Sequence, residues 1–178
     1  VAMLNLGGTA LRLGQYTQAS EYLHESLSLS EDTNDIQGVA YAQIGLANLA
    51  IETHDWQKAA RFLDQALRVA SETQAIPLLL QALLAVGTLF THLGELSWAE
   101  ELVNYTLHHP STLKDDRDEA GKLYTLIKTM LTEPAEGNYQ TMRLVEENSN
   151  ELGVVNKIRS QALFNNLITN EIIQKESS

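Results

Sequence analysis

The chain has 178 residues, of which 44% are apolar and 20% charged, and it has a formal net charge of −11 and no cysteine. This apolar fraction is enough for a sizeable core, and the missing cysteines exclude disulfides, zinc–thiolate sites and a catalytic thiol. Only 12 Lys and Arg residues are scattered along the chain, which predicts no nucleic-acid partner and no anionic membrane partner. We expect a cytoplasmic protein, because no signal peptide and no membrane-length apolar stretch is recognisable.

Six helices are predicted in the first 108 residues, because apolar side chains recur there at helical spacing and no stretch alternates with a period of two. The first helix of each pair covers 1–13, 37–53 or 76–93, and the second covers 16–30, 56–72 or 96–108. The breaks "SEDTND" and "SETQAIP" carry capping residues and a proline suited to an early helix position. The chain starts inside a helical pattern without an initiator Met, so we expect a piece of a longer protein.

The helix pairs repeat with a period of 40 residues. Large positions stay large and small positions stay small over two full periods, which indicates one repeated structural unit. The equivalent positions are Leu6, Leu46 and Val86; Gly7, Ala47 and Gly87; Gly14, His54 and Gly94; Ala19, Ala59 and Ala99; and Leu23, Leu63 and Val103.

The small positions have two physical explanations. Gly7 and its equivalents lie where two helices must cross closely, because a larger side chain would hold the backbones apart. Gly14 and Gly94 end a first helix, where glycine adopts the left-handed conformation at little cost. His54 occupies the same place, so we expect its turn to be strained or differently shaped.

The pattern resembles the tetratricopeptide repeat. "NLGG" carries the Leu-Gly pair as Leu6-Gly7, and "YTQASEYL" and "WQKAARFL" carry the second-helix part of the motif. The usual repeat has about 34 residues. The longer period seen here is similar to that of kinesin light chains, of bacterial peptide-sensing regulators and of the sensor regions of bacterial MalT-like signalling ATPases. The resemblance implies an all-α fold, a right-handed superhelical solenoid of antiparallel helix pairs.

Three parts of the chain are predicted: three helix pairs over 1–110, a capping helix within 111–134, and a degenerate fourth repeat or C-terminal helices over 135–178. The capping helix has an acidic start, "DDRDEA", interpreted as a solvated helix start, and an apolar stripe of Leu123, Leu126, Ile127 and Met130. Gly137-Asn138-Tyr139 resembles Gly14-Gln15-Tyr16 and indicates the degenerate repeat. The segment 154–174 is predicted as an amphipathic helix that either packs within the chain or mediates dimerisation.

The sequence carries no motif that assembles catalytic chemistry. A phosphate-binding loop, a dinucleotide-binding glycine pattern and a nucleophile elbow are all missing. His108-His109 point in different directions, and His24-Glu25 lacks the second histidine of a zinc-protease helix. We therefore expect no enzyme, no catalytic residue, no metal and no cofactor.

The first helices of such an array line its concave face. Helical spacing and the family pattern together place eight residues there as a partner-binding set, without a strong overall charge: Asn5, Arg12, Tyr41, Asn48, Glu52, Gln81, Thr88 and His92. The Asn and Gln amides can donate and accept hydrogen bonds, which suits an extended peptide backbone. The alternative is that these are ordinary solvated positions or contacts to other domains of the parent chain.

These features predict a non-catalytic module that binds a protein or peptide segment, or other domains of its own chain, as a sensor or scaffold part of a larger bacterial regulatory protein. One alternative is a structural spacer, or an oligomerisation piece that associates through the C-terminal helix. The least favoured alternative is a small-molecule or hydrolytic site around Arg12, Glu52 and His92.

Overall fold

The computed structural model describes residues 2–132, 151–161, 164 and 165, which form helices and no strand. The first six helices begin and end within two residues of the predicted bounds, so the all-α fold of consecutive helix pairs is confirmed. The helices are α1 Ala2–Arg12, α2 Tyr16–Asp32, α3 Ile36–Glu52, α4 Trp56–Thr73, α5 Ile76–His92, α6 Leu96–His108, α7 Lys114–Thr132 and α8 Glu151–Ser160. The predicted echo at Gly137-Asn138-Tyr139 lies outside the described residues, and the division of the chain into three parts stays a prediction.

Aspartate side chains fix where α3 and α4 begin. Asp35 Oδ1 accepts a hydrogen bond of 2.9 Å from the Gly38 N–H, and Asp55 Oδ1 accepts one of 3.1 Å from the Lys58 N–H. Each bond satisfies a backbone donor that the first helical turn leaves unpaired. Both helices of the second pair therefore have a side-chain cap that fixes their first residue.

The turn inside each helix pair uses one left-handed residue. Gly14 has φ 71°, His54 has φ 61° and Gly94 has φ 79°. His54 therefore forms the same turn as the glycines, and the expectation of a differently shaped turn is wrong. A side chain in this conformation costs about 1–2 kcal/mol, so the expected strain remains. The His54 ring packs edge-on against Trp56, with 5.1 Å between centroids.

Leu23 of α2 is the packing residue that joins the first two repeats. It is fully buried between Gly7 of α1 and Gly45 of α3. A Cβ atom on Gly7 would lie 2.7 Å from Leu23 Cγ, and one on Gly87 would lie 2.6 Å from Val103 Cγ2. The close helix crossing expected at Gly7 and Gly87 is therefore confirmed.

Helix α7 takes the place of a fourth first helix. It packs against α5 and α6 and fully buries Ala120 and Ile127. Its end at Thr132 follows the end of α5 at His92 by the same 40 residues that separate His92 from Glu52. Leu126, however, is 51% exposed, so the predicted apolar stripe was wrong at this residue, because α7 turns that side toward solvent.

Helix α8 folds back onto α4. Arg159 Nε lies 2.8 Å from Asp64 Oδ1, an interaction between residues 95 positions apart. Four apolar side chains of this segment are buried within the chain: Val154, Val155, Ile158 and Phe164. Phe164 meets Phe90 of α5 edge-to-face, with 6.2 Å between ring centroids. The described part of the C-terminal segment therefore packs against its own array.

The prediction of a single helix over 154–174 was wrong in the extent of the helix. Helix α8 ends at Ser160, and Gln161 is not helical. The Gln161 side chain accepts a hydrogen bond of 2.7 Å from the Phe164 N–H, as a residue does that caps the start of a new helical turn. The rest of the predicted helix, from 166 onward, lies outside the described residues.

Alanine at Gly7 and alanine at Gly8 should change stability in opposite directions. Gly7→Ala forces Leu23 out of its buried position and should lower the free energy of unfolding by about 1–2 kcal/mol. Gly8→Ala meets no atom within 4 Å and should raise it by about 0.5–1 kcal/mol, because alanine favours the helix. Urea unfolding of both variants measures the difference. Equal effects would contradict the packing of Leu23 on α1.

Candidate functional site

An open cavity of about 510 Å³ lies on the concave side of the array. Its described lining comes from α1, α3 and α5, the three predicted first helices, and from α7. The lining residues are Gly8, Leu11, Arg12, Asn48, Ile51, Glu52, Thr88, Asp115, Asp118, Glu119 and Lys122.

A second cavity of about 100 Å³ lies deeper along the same face, between α3, α5 and α7. Its lining combines apolar and polar side chains: Ile44, Asn48, Gln81, Leu84, Ala85, Asp116 and Glu119. Asn48 and Glu119 line both cavities. The two cavities are therefore parts of one groove, which we call the concave groove.

Most of the residues predicted for partner binding lie in the concave groove. Arg12, Asn48, Glu52 and Thr88 line the larger cavity, and Asn48 and Gln81 line the smaller one. Tyr41 is half-buried and feels the charge of Asp116. The structure thus brings together predicted residues from α1, α3 and α5.

Three of the predicted residues line neither cavity, namely Tyr41, Asn5 and His92. Asn5 is exposed on α1, and its backbone carbonyl accepts a hydrogen bond of 2.8 Å from the Thr9 hydroxyl. His92 is stacked on Trp56, with 5.7 Å between centroids and 29° between ring planes. His92 therefore contacts the Trp56 ring and does not line the cavity that Arg12 and Glu52 line.

The acidic start of α7 supplies the residues that sequence reasoning missed. Asp115, Asp118 and Glu119 line the larger cavity, and Asp116 and Glu119 line the smaller. With Glu52 they bring five carboxylates to the groove, against the cations Arg12 and Lys122. Two expectations were therefore wrong: a groove without a strong charge, and a helix start that is only solvated.

We call the four carboxylates at the start of α7 the acidic wall: Asp115, Asp116, Asp118 and Glu119. A signal for the acidic wall was present in the sequence. The 40-residue period, continued once more, places a first helix where α7 lies, and its inner face belongs to the groove. The residues "DDRDEA" were instead interpreted from their effect on the helix dipole alone. That reasoning considers one helix by itself and leaves out the residues that its inner face contacts in the folded array.

Two carboxylates of α7, those of Asp116 and Glu119, lie in surroundings that disfavour their charge. Burial raises the pKa of Asp116, and the neighbouring Asp115 raises it further, while a hydrogen bond of 3.1 Å from Gln81 Nε2 to Asp116 Oδ2 lowers it. Burial also raises the pKa of Glu119, and Asp116 adds to this, although Arg12 and Lys122 act in the opposite direction. Cationic groups would relieve this repulsion.

Tyr41 senses the same negative charge. Burial raises the pKa of its hydroxyl, and the Asp116 carboxylate raises it further.

Across the described residues, no group of three or more His, Cys, Asp or Glu side chains is arranged to hold a metal ion. The groove thus offers carboxylates, amides and apolar surface, a chemistry suited to binding cationic hydrogen-bond donors.

Residues 1–72 match the sequence model of the tetratricopeptide repeat family. No curated protein and no solved structure matches the chain. Together with the stacked helix pairs, the match supports a tetratricopeptide-repeat protein, a class whose repeats generally mediate protein–protein interaction. Within the part of the chain that the structure describes, no helix is both long enough and apolar enough to span a membrane.

Glu119→Gln should stabilise the chain in a pH-dependent way. The pKa of Glu119 is higher in the folded chain than its ordinary value of 4.5. Folding therefore takes up protons at pH values between 4.5 and the pKa of the folded chain. The free energy of unfolding contributed by this group therefore falls as pH rises through that window. Removing the charge should raise stability at neutral pH, and the gain should shrink as pH is lowered toward 4.5.

Urea unfolding at several pH values measures this change. Glu31→Gln, on the exposed end of α2, removes the same charge outside the groove and reports the effect of net charge alone. A Glu119→Gln variant that is less stable than the native chain at neutral pH would contradict the raised pKa of Glu119.

Proposed function

We propose that the chain is a non-catalytic module that binds an extended peptide or protein segment carrying Lys or Arg in the concave groove. The observation that carries this proposal is the acidic wall of α7, which faces α1, α3 and α5 across one open cavity. Cationic side chains of a partner would neutralise this wall, and peptide amides would meet the polar groups of α3 and α5.

Asn48 is the residue best placed to bind a peptide backbone. It lines both cavities of the groove, and its amide can donate to a carbonyl and accept from an N–H at the same time. Leu11 and Ile51 lie beside it in the larger cavity and would contact apolar parts of the bound segment. The groove thus combines backbone recognition with surface for side chains.

Charge would supply the selectivity between partners. Among the described residues, Arg12 and Lys122 are the cations that line the groove beside these carboxylates. Burial, and to a lesser extent a neighbouring carboxylate, already raises the pKa of Asp116 and of Glu119. A cationic segment lowers both pKa values, so binding releases protons and strengthens as pH rises. An acidic segment would add to the repulsion and is disfavoured.

We also propose that the chain serves as a sensor or scaffold part of a larger bacterial regulatory protein in the cytoplasm. The 40-residue repeat, which resembles the sensor regions of MalT-like signalling ATPases, supports this role. The bound segment would then belong to another protein or to another domain of the same polypeptide. Occupancy of the concave groove would compete with that internal contact.

The other functions considered from the sequence have less support. An oligomerisation role for helix α8 needs its apolar side chains free, but Val154, Val155 and Ile158 are buried inside the chain. A hydrolytic site around Arg12, Glu52 and His92 needs the three side chains together, but His92 is stacked on Trp56. We therefore favour binding without catalysis.

A pair of charge-matched variants tests the proposed groove. The probes are two fluorescein-labelled peptides of equal length, one alternating Lys and Ala and the other alternating Glu and Ala. Fluorescence anisotropy should show salt-sensitive binding of the Lys peptide alone. The variant Asp118→Asn/Glu119→Gln should weaken binding by about tenfold, which corresponds to roughly 1.4 kcal/mol.

The matched control is Glu25→Gln/Glu31→Gln, which removes two charges from α2 outside the groove. This control should retain most of the affinity. An equal loss of affinity in both double variants would show only attraction to an acidic surface. It would contradict binding of the Lys peptide in the concave groove. Gly8→Trp adds a steric test. Its side chain fills the larger cavity from a position where no neighbour obstructs it. The variant should block binding of a peptide and of a protein segment alike.

A further inference from the structure

The outer side of α4 is buried where the same side of the other second helices is not. Asp64 is 6% exposed, and Ala60, one turn earlier, is fully buried. Their equivalents on α2 and α6 are exposed or half-buried: Ser20, His24, Glu100 and Asn104. Helix α8 lies on this side of α4, because its Arg159 pairs with Asp64. Helix α4 therefore carries a covered site that the repeat pattern alone does not provide.

Two large aromatic residues of the third repeat extend this site. Phe90 of α5 stands where the first two repeats have alanine, and Trp98 of α6 stands where they have Gln18 and Lys58. The Phe90 ring meets Trp98 edge-on, with 6.3 Å between centroids, and it also meets Phe164, which follows α8. We call the four residues under the C-terminal segment the outer site: Ala60, Asp64, Phe90 and Trp98.

The segment that occupies the outer site has a defined side-chain pattern. Val154, Val155 and Ile158 are spaced to share one side of α8, and all three are buried. Arg159 follows directly, and its Nε donates a hydrogen bond of 2.8 Å to Asp64 Oδ1. Phe164 comes five residues later. The outer site therefore receives an amphipathic helix with one cation beside its apolar side.

Two features allow the outer site to exchange its occupant. Arg68 lies on α4 itself and pairs with Asp64 Oδ2 at 2.8 Å, so this carboxylate keeps a cationic partner when α8 is absent. Helix α8 has 10 residues, and a helix of this length is marginal in water without tertiary contacts. Helix α8 therefore depends on the outer site, and a competing helix can replace it.

We infer that the outer site binds an amphipathic α-helix of a partner protein, and that α8 is the internal occupant which this helix displaces. The partner helix has the α8 pattern, in which Arg directly follows the last apolar residue and Phe comes five residues later. Asp64 selects the Arg, because a helix without it leaves Oδ1 of a buried carboxylate unpaired. The outer site shares no residue with the concave groove, so this inference does not rest on the proposed function.

A fluorescein-labelled peptide of residues 151–165 tests the inference with the full chain as receptor. Ile158→Asp places a charge at a fully buried position of α8 and should release α8 from the outer site. Fluorescence anisotropy should show about tenfold or tighter peptide binding to this variant than to the native chain, in which α8 leaves few sites free. Circular dichroism checks that the variant keeps its helices.

Charge-matched variants test the contact with Asp64. An Arg159→Gln peptide should bind the Ile158→Asp chain about tenfold more weakly than the native peptide. In a chain that also carries Asp64→Asn, the two peptides should bind about equally, since the ion pair is then gone. Gly8→Trp, which fills the concave groove, should leave the peptide affinity unchanged.

A protease site inserted within residues 133–150 gives a second route that leaves α8 unaltered and does not depend on the folding of Ile158→Asp. After cleavage, residues 151–178 should stay bound to the rest of the chain in size-exclusion chromatography. An excess of the 151–165 peptide should displace them, whereas a scrambled peptide of the same composition should not.

Three results would overturn the inference. The first is a cleaved segment that the peptide does not displace. The second is equal binding of the peptide and its scrambled form to the released chain. The third is a native dimer in sedimentation that is lost in Ile158→Asp, because the occupant would then be α8 of a second copy of the chain.

Discussion

The packing of a branched side chain of each second helix into the surface of the first helices sets the spacing of the whole array. Leu23 is enclosed between Gly7 and Gly45, and Val103 meets Gly87. A Cβ atom on any of these glycines would collide with the packed side chain. The helices therefore approach closely at these crossings, and Leu23 fixes the first repeat to the second.

This packing decides which side chains face the concave groove. Second helices are held on the outside, so within the described part of the chain the groove is built from α1, α3, α5 and α7. Helix α7 brings its acidic first turns opposite Arg12 of α1. The negative groove is thus a consequence of where the fourth first helix begins, and it points to a cationic segment as the partner.

The period in the sequence was enough to predict six helices, because small crossing residues and left-handed turn residues recur with it. It also placed Arg12, Asn48, Glu52 and Thr88 on the right face. The position of His92 could not be predicted this way, since its ring packs on Trp56 from the preceding repeat. That contact depends on the offset between neighbouring helix pairs, which spacing within one helix does not contain.

The C-terminal segment shows a different limit. Its apolar residues predicted one long helix, but a break at Gln161 ends α8 at Ser160. Its docking site on α4 depends on the contact between Arg159 and Asp64, which are far apart in sequence. Hydrophobic periodicity identifies an amphipathic helix, but it does not identify the surface that receives it.

The most direct measurement of the groove is the pKa of Glu119 by NMR titration in the native chain and in Arg12→Gln. Arg12 on α1 lowers this pKa across the groove, so its removal should raise the pKa further. Arg68→Gln, which removes the same charge from α4, should leave it nearly unchanged. An unchanged pKa in Arg12→Gln would contradict the account, because α1 and the acidic wall of α7 would then not face one another.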